Sequence, residues 1–135
     1  MKAIIATTVF GVIMMFASVM VNNKKSIAAI ATLLFAVLLG VNIWDLQTAD
    51  SAPQLLFNNM LRIEHYSLWF NTLMSGCTLL YVLLMGNEIQ KVGAHVAEYF
   101  ALIFFILCGV FLLSTYNNMI MLFIGIEILL SLIHI

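Results

Sequence analysis

Six acidic residues occur in 135, and one of them, Glu127, stands alone inside the oily run NNMIMLFIGIEILL, residues 117–130. A charge at the centre of a membrane helix costs about 2.5–3.5 kcal/mol on insertion scales and more in simulations, so this side chain should face protein or a water-filled cavity. A carboxyl whose proton affinity depends on nearby water and charge can pass protons. Counted from Met119 at about 1.5 Å per residue, Glu127 lies about 12 Å into its helix, near the bilayer midplane. Its helical neighbours at three, four and seven positions are Ile120, Phe123, Ile124, Leu130, Ser131 and His134. Ser131 and His134 extend the carboxylate into a polar stripe and are candidate relay groups. Each also has an ordinary reading, a serine bonded back to its own helix and a packed histidine. Glu98, three residues after His95 at the opening of another apolar run, is a candidate uptake-side group, although an acid there also suits the positive end of a helix.

Other chemistry finds little support. Cys77 and Cys108 are 31 positions apart within apolar runs, with no CxxC pair for zinc, an iron-sulfur cluster or thiol exchange, and both read as buried small hydrophobes. The seven glycines form no GxGxxG or GxxxxGK loop. No cofactor or metal is expected on this chain, and nucleotide or metal chemistry belongs to another. Methionines and aromatics such as Met14, Met15, Phe104 and Phe105 are spread over all the apolar segments and read as lipid or helix contacts.

The elements that must carry these residues follow from composition. With 64% hydrophobic and 8% charged residues, the chain is far from a soluble domain, at roughly 25% charged, and belongs in a bilayer. The net charge of -1 and the lack of a basic stripe set nucleic acid aside. A ruler of about 20 apolar residues per crossing marks five helices, at about 3–21, 27–44, 66–85, 96–115 and 119–135. The fold class is therefore all-α transmembrane, a single membrane region over residues 1–135. The first apolar run is longer than the roughly 7–15 residues of a signal core, which predicts an uncleaved helix.

Short links, NNKKS and STYNN, predict antiparallel neighbours for helices one and two and for four and five. GNEIQKVGAH, joining three and four, puts Glu88 and Lys91 in water. The connection 45–65 pairs an exposed turn, DLQTADSAPQ, with LLFNNMLRIEHY, where Leu61 and Ile63 alternate against Arg62 and Glu64; a short extended or interfacial piece is expected there, with a solvated ion pair. Thr72 and Gly76 form a small pair that allows close helix contact. Lys24, Lys25 and Lys91 against Lys2 and Arg62 place the amino terminus outside. No helix carries an internal lysine or arginine to work with Glu127, so the chain by itself is insufficient for a proton path.

Residues 98–129, EYFALIFFILCGVFLLSTYNNMIMLFIGIEIL, resemble the fourth and fifth helices of the antiporter-like chain N of NADH-quinone oxidoreductase: a helix opening with acid and aromatics, an asparagine-bearing turn, then an LFxGxE core. FNNMLRIEHYSLWFNTLM, residues 57–74, is similar to the extended piece that leads into helix three, with Glu64 where aspartate is usual. The resemblance implies a multi-pass subunit of the bacterial inner membrane that moves protons without redox chemistry of its own. It further implies other membrane subunits of the complex as partners, with NADH, flavin, iron-sulfur clusters and quinone held elsewhere. Glu127 takes the position of the proton-transferring glutamate of the fifth helix. The lysine that works with it lies on a later helix, which implies an amino-terminal fragment with an incomplete fifth helix, inactive alone. SLIHI departs from the expected serine, proline and aromatic pattern. The small chain K of the same complex, related cation antiporter and membrane hydrogenase subunits, a self-contained proton-coupled transporter and a membrane scaffold are the other readings.

Overall fold

A computed structural model of the chain describes residues 2–20, 24–48, 54–56, 58–85 and 96–133. Long apolar runs without proline form helices because hydrocarbon offers no partner for backbone N–H and C=O groups, which must then bond within the segment. The order is α1 (Lys2–Met20), α2 (Lys24–Gln47), β1 (Gln54–Leu56), β2 (Leu61–Ile63), α3 (His65–Leu84), α4 (Val96–Ser114) and α5 (Met119–Ile133). Three spans, Ser26–Gln47, His65–Leu84 and Val96–Ser114, are long and apolar enough to cross a membrane, while α1 and α5 carry shorter apolar stretches. The architecture is an all-α membrane one, as expected, with a small hairpin added. Helix α2 runs three residues past its apolar window at both ends, through Lys24 and through Asp45, because a helix need not stop where hydrocarbon does. Threonine hydroxyls are satisfied inside their helices: Thr7, Thr32, Thr72 and Thr78 each donate to the carbonyl four residues back.

Helix α4 is the centre of the packing, with Phe100, Phe104, Leu107 and Phe111 all buried. The Phe104 ring stacks on Phe35 of α2, with centroids 4.0 Å apart and planes 5° from parallel. Phe10 of α1 meets the same ring edge-on at 6.0 Å. On the other side of α2, a Cβ placed on Gly76 would lie 3.7 Å from Leu39, so the small residue of α3 does face α2. The adjacent Cys77 turns outward. The expectation that both cysteines are buried holds for Cys108 and fails for Cys77, which is exposed; one residue is about 100° of helical rotation, and Ser75 and Gly76 take the inward side of α3.

The connection into α3 is an antiparallel hairpin, with Gln54 opposite Ile63, Leu55 opposite Arg62 and Leu56 opposite Leu61. Its tip holds Asn58 at φ 54° and Asn59 at φ 66°, the pair of positive φ values that a type I′ turn requires. Leu61 and Ile63 point inward and Arg62 outward, where its guanidinium lies 2.6 Å from the Glu64 carboxylate. Both side chains of that pair are about half exposed (49% and 45%), so it contributes little. The hairpin also takes up the α4–α5 link: the Arg62 N–H donates to the Thr115 carbonyl at 2.8 Å and the Asn117 N–H to the Met60 carbonyl at 3.0 Å. The Asn117 side-chain amide donates to the Asn59 carbonyl at 2.8 Å, and the Ser114 hydroxyl donates to Asn71 Oδ1 of α3 at 2.6 Å. Of the expected links, residues 22–23 of NNKKS, residues 49–53 and 57 of the connection 45–65, and all of 86–95 with Glu88 and Lys91 lie outside the described residues.

The tip of the hairpin gives a direct check. Asn59→Gly keeps the positive φ at no steric cost and should leave stability unchanged or raised, whereas Asn59→Val should lower it by about 1–2 kcal/mol. The midpoint of detergent-induced unfolding measures both; equal midpoints would contradict the turn geometry.

Candidate functional site

Glu127 is positioned from the start of its helix. Asn118 precedes α5, and its side-chain oxygen accepts the Ile120 N–H at 3.2 Å while its carbonyl accepts the N–H groups of Met121 and Leu122. This satisfies donors that a helix start leaves open. From there α5 descends against α4 through glycines on both helices. A Cβ on Gly125 would sit 2.8 Å from Leu113 Cδ2, and one on Gly109 would sit 3.1 Å from Leu129 Cγ. Each glycine thus leaves room for a side chain of the other helix, and a Cβ at Gly125 would force Leu113 to shift. Two residues beyond Gly125, about 200° around the helix, Glu127 faces away from that contact.

It faces a groove. Ile4 and Thr8 of α1, Phe105, Cys108 and Leu112 of α4, and Glu127, Ile128 and Ser131 of α5 line an open space of about 720 Å³. Its walls are mostly hydrocarbon, and its polar groups are the carboxyl, two hydroxyls and a thiol. Thr8 Oγ1 lies 3.3 Å from Cys108 Sγ and donates its proton to the Ile4 carbonyl at 3.0 Å, which leaves the thiol as donor to the hydroxyl oxygen. Ser131 is one turn beyond Glu127 on the same stripe. Among the described residues no hydrogen-bond donor or cation holds the Glu127 carboxyl. The acid is thus open to whatever fills the groove.

Of the residues singled out from the sequence, Glu127 and Ser131 come together in the groove. Glu98 does not: it is exposed in the first turn of α4, seven residues or about 10 Å along the helix from Phe105, though on the same helical stripe. His134 lies outside the described residues. Thr8 and Cys108 are the members that sequence reasoning missed as site residues. They line the groove with Glu127 from segments about a hundred residues apart, and neither stands in a local pattern that marks it. Among the described residues, no three His, Cys, Asp or Glu side chains converge as a metal ion would require.

Three apolar helices long enough to cross a membrane, one of which, α4, lines the groove that holds the acid, mark a membrane protein. Comparison with known proteins gives the particular kind. The chain is 32% identical to NADH-quinone oxidoreductase subunit N of Cytophaga hutchinsonii over 129 residues, 96% of this chain and 27% of that protein. It is 27% identical to subunit N of Flavobacterium johnsoniae over the same shares, and 31% identical to subunit N 1 of Chloroherpeton thalassium over 73% of this chain and 21% of that protein. No protein-family model matches it. No solved structure matches it significantly. The chain is homologous to subunit N of NADH-quinone oxidoreductases, as the motifs of residues 57–74 and 98–129 imply, and spans about a quarter of the length of the curated relatives it matches.

The groove distinguishes the two thiols. In detergent, a small apolar maleimide should label exposed Cys77 at least about tenfold faster than Cys108, which is 7% exposed and engaged with Thr8. Mass spectrometry of the labelled chain measures the ratio; equal rates would contradict the packing of α1 on α4.

Proposed function

We propose that this chain forms part of a membrane subunit of NADH-quinone oxidoreductase in which Glu127 takes up and releases protons while electrons pass from NADH to quinone on other chains. The observation that carries the reading is a single carboxyl, placed about mid-helix, lining a groove between α1, α4 and α5 in a chain homologous to subunit N. Ser131 continues the polar stripe from Glu127, and Glu98 stands toward one end of the same α4 stripe as an uptake-side group. His134 is assigned a relay role on sequence spacing alone.

The chain has no part in the redox step in this reading. NADH, flavin, iron-sulfur clusters and quinone are held by other subunits, and this chain binds none of them. Its partners are the other membrane subunits and the lipid of the bacterial inner membrane, where it forms one membrane region. The described basic residues, Lys2, Lys24, Lys25 and Arg62, stand at helix starts or in the hairpin. A cation that tunes Glu127 is therefore supplied by protein outside this chain, and the 135 residues alone do not pump.

In membrane vesicles carrying the assembled complex, Glu127→Gln should lower NADH-driven proton uptake by about an order of magnitude or more, with the complex still assembled on native gels. Glu127→Asp should retain part of the uptake. Unchanged uptake in the glutamine variant would remove Glu127 from the pathway.

A further inference from the structure

We propose that the furrow on the outer face of α2 beside Lys2 is a binding site for one anionic phospholipid, with its phosphate at the Lys2 ammonium and the Trp44 indole and an acyl chain along Val41, Gly40 and Val37. These five residues line a space of about 390 Å³. Lys2 opens α1 and Trp44 stands in the last turn of α2, and the Lys2 ammonium lies 3.6 Å from Asp45, so the two helix ends are level. The pair is lopsided. The Asp45 side chain is 10% exposed and that of Lys2 is 69% exposed, which leaves ammonium donors turned outward.

Trp44 is 65% exposed and can donate only through its indole N–H. Exposed tryptophan beside lysine at a helix end is the arrangement that sits at headgroup level. Below it, positions 44, 41, 40 and 37 follow one helical stripe that descends about 10 Å toward the bilayer centre. A Cβ on Gly40 would meet nothing within 4 Å, so the stripe is hollow at its middle. A cationic rim above a hollow apolar strip, aligned with the helix axis, complements an anionic headgroup above an alkyl chain.

The test uses the complex containing this chain, reconstituted in phosphatidylcholine vesicles doped with a photoactivatable phosphatidylglycerol, with crosslinks mapped by mass spectrometry. Crosslinks should concentrate on residues 37–44. Lys2→Gln should lower their yield about fivefold, the value of one basic residue at an anionic surface. Gly40→Leu, which fills open space and does not disturb packing, should abolish them while crosslinks on α3 stay unchanged. Equal labelling by a photoactivatable phosphatidylcholine, undiminished labelling of Gly40→Leu, or capture of a protein segment by a photoreactive residue at position 40 would each overturn the proposal.

Discussion

Where α4 ends and α5 begins, four helical carbonyls and four N–H groups lose their partners at the margin of a bilayer, and the rest of the fold depends on how they are satisfied. The answer is a small polar joint built from distant pieces. Asn118 accepts the Ile120, Met121 and Leu122 N–H groups, and the Ser114 and Thr115 hydroxyls bond the Phe111 carbonyl. The hairpin, through the Arg62 N–H and the carbonyls of Met60 and Asn59, and α3, through the Asn71 amide oxygen, hold the link between the helices. In water such bonds would contribute about 1 kcal/mol each, but away from water an unmade one costs more than a made one gains. The joint therefore fixes the direction in which α5 sets out, and through α5 it fixes Glu127.

Steric permission does the remainder of the positioning. Glycine on both sides of the α4–α5 contact lets the helices close to a distance at which a Cβ on Gly125 would press on Leu113, and Gly11 does the same for α1 against the Phe105 ring at 3.2 Å. Hydrocarbon packing in a membrane lacks the hydrophobic drive of water, so close approach of this kind is what gives the helices their relative placement. The aromatic stack of Phe35, Phe104 and Phe10 anchors α4 between α1 and α2. With α4 so held, α1 and α5 flank one side of it, and the groove between them contains the acid. The acid lines that groove with Thr8, Cys108 and Ser131, and no described cation holds it.

Much of this was legible in the residues because a bilayer imposes simple rules. Apolar length marked the helices, the alternation of Leu61 and Ile63 against Arg62 and Glu64 marked an extended piece, and the LFxGxE core marked both the acid and the kinship with subunit N. The hairpin itself went unread, although Asn58-Asn59 is the local signal for a turn with positive φ at both positions. Cys77 was misjudged because hydrophobicity alone does not tell the inward side of a membrane helix from the lipid side.

By itself, then, the sequence determined which segments are helical, that Glu127 stands about mid-helix, and that Ser131 shares its stripe, since these depend only on residue type and helical pitch. The tertiary structure alone decided that Thr8 and Cys108 line one groove with Glu127, that Glu98 stays outside it, and that the hairpin closes over the α4–α5 link. Those are facts of packing between residues far apart in the chain, set by where glycine permits contact and where orphaned backbone groups find partners, and no local pattern carries them.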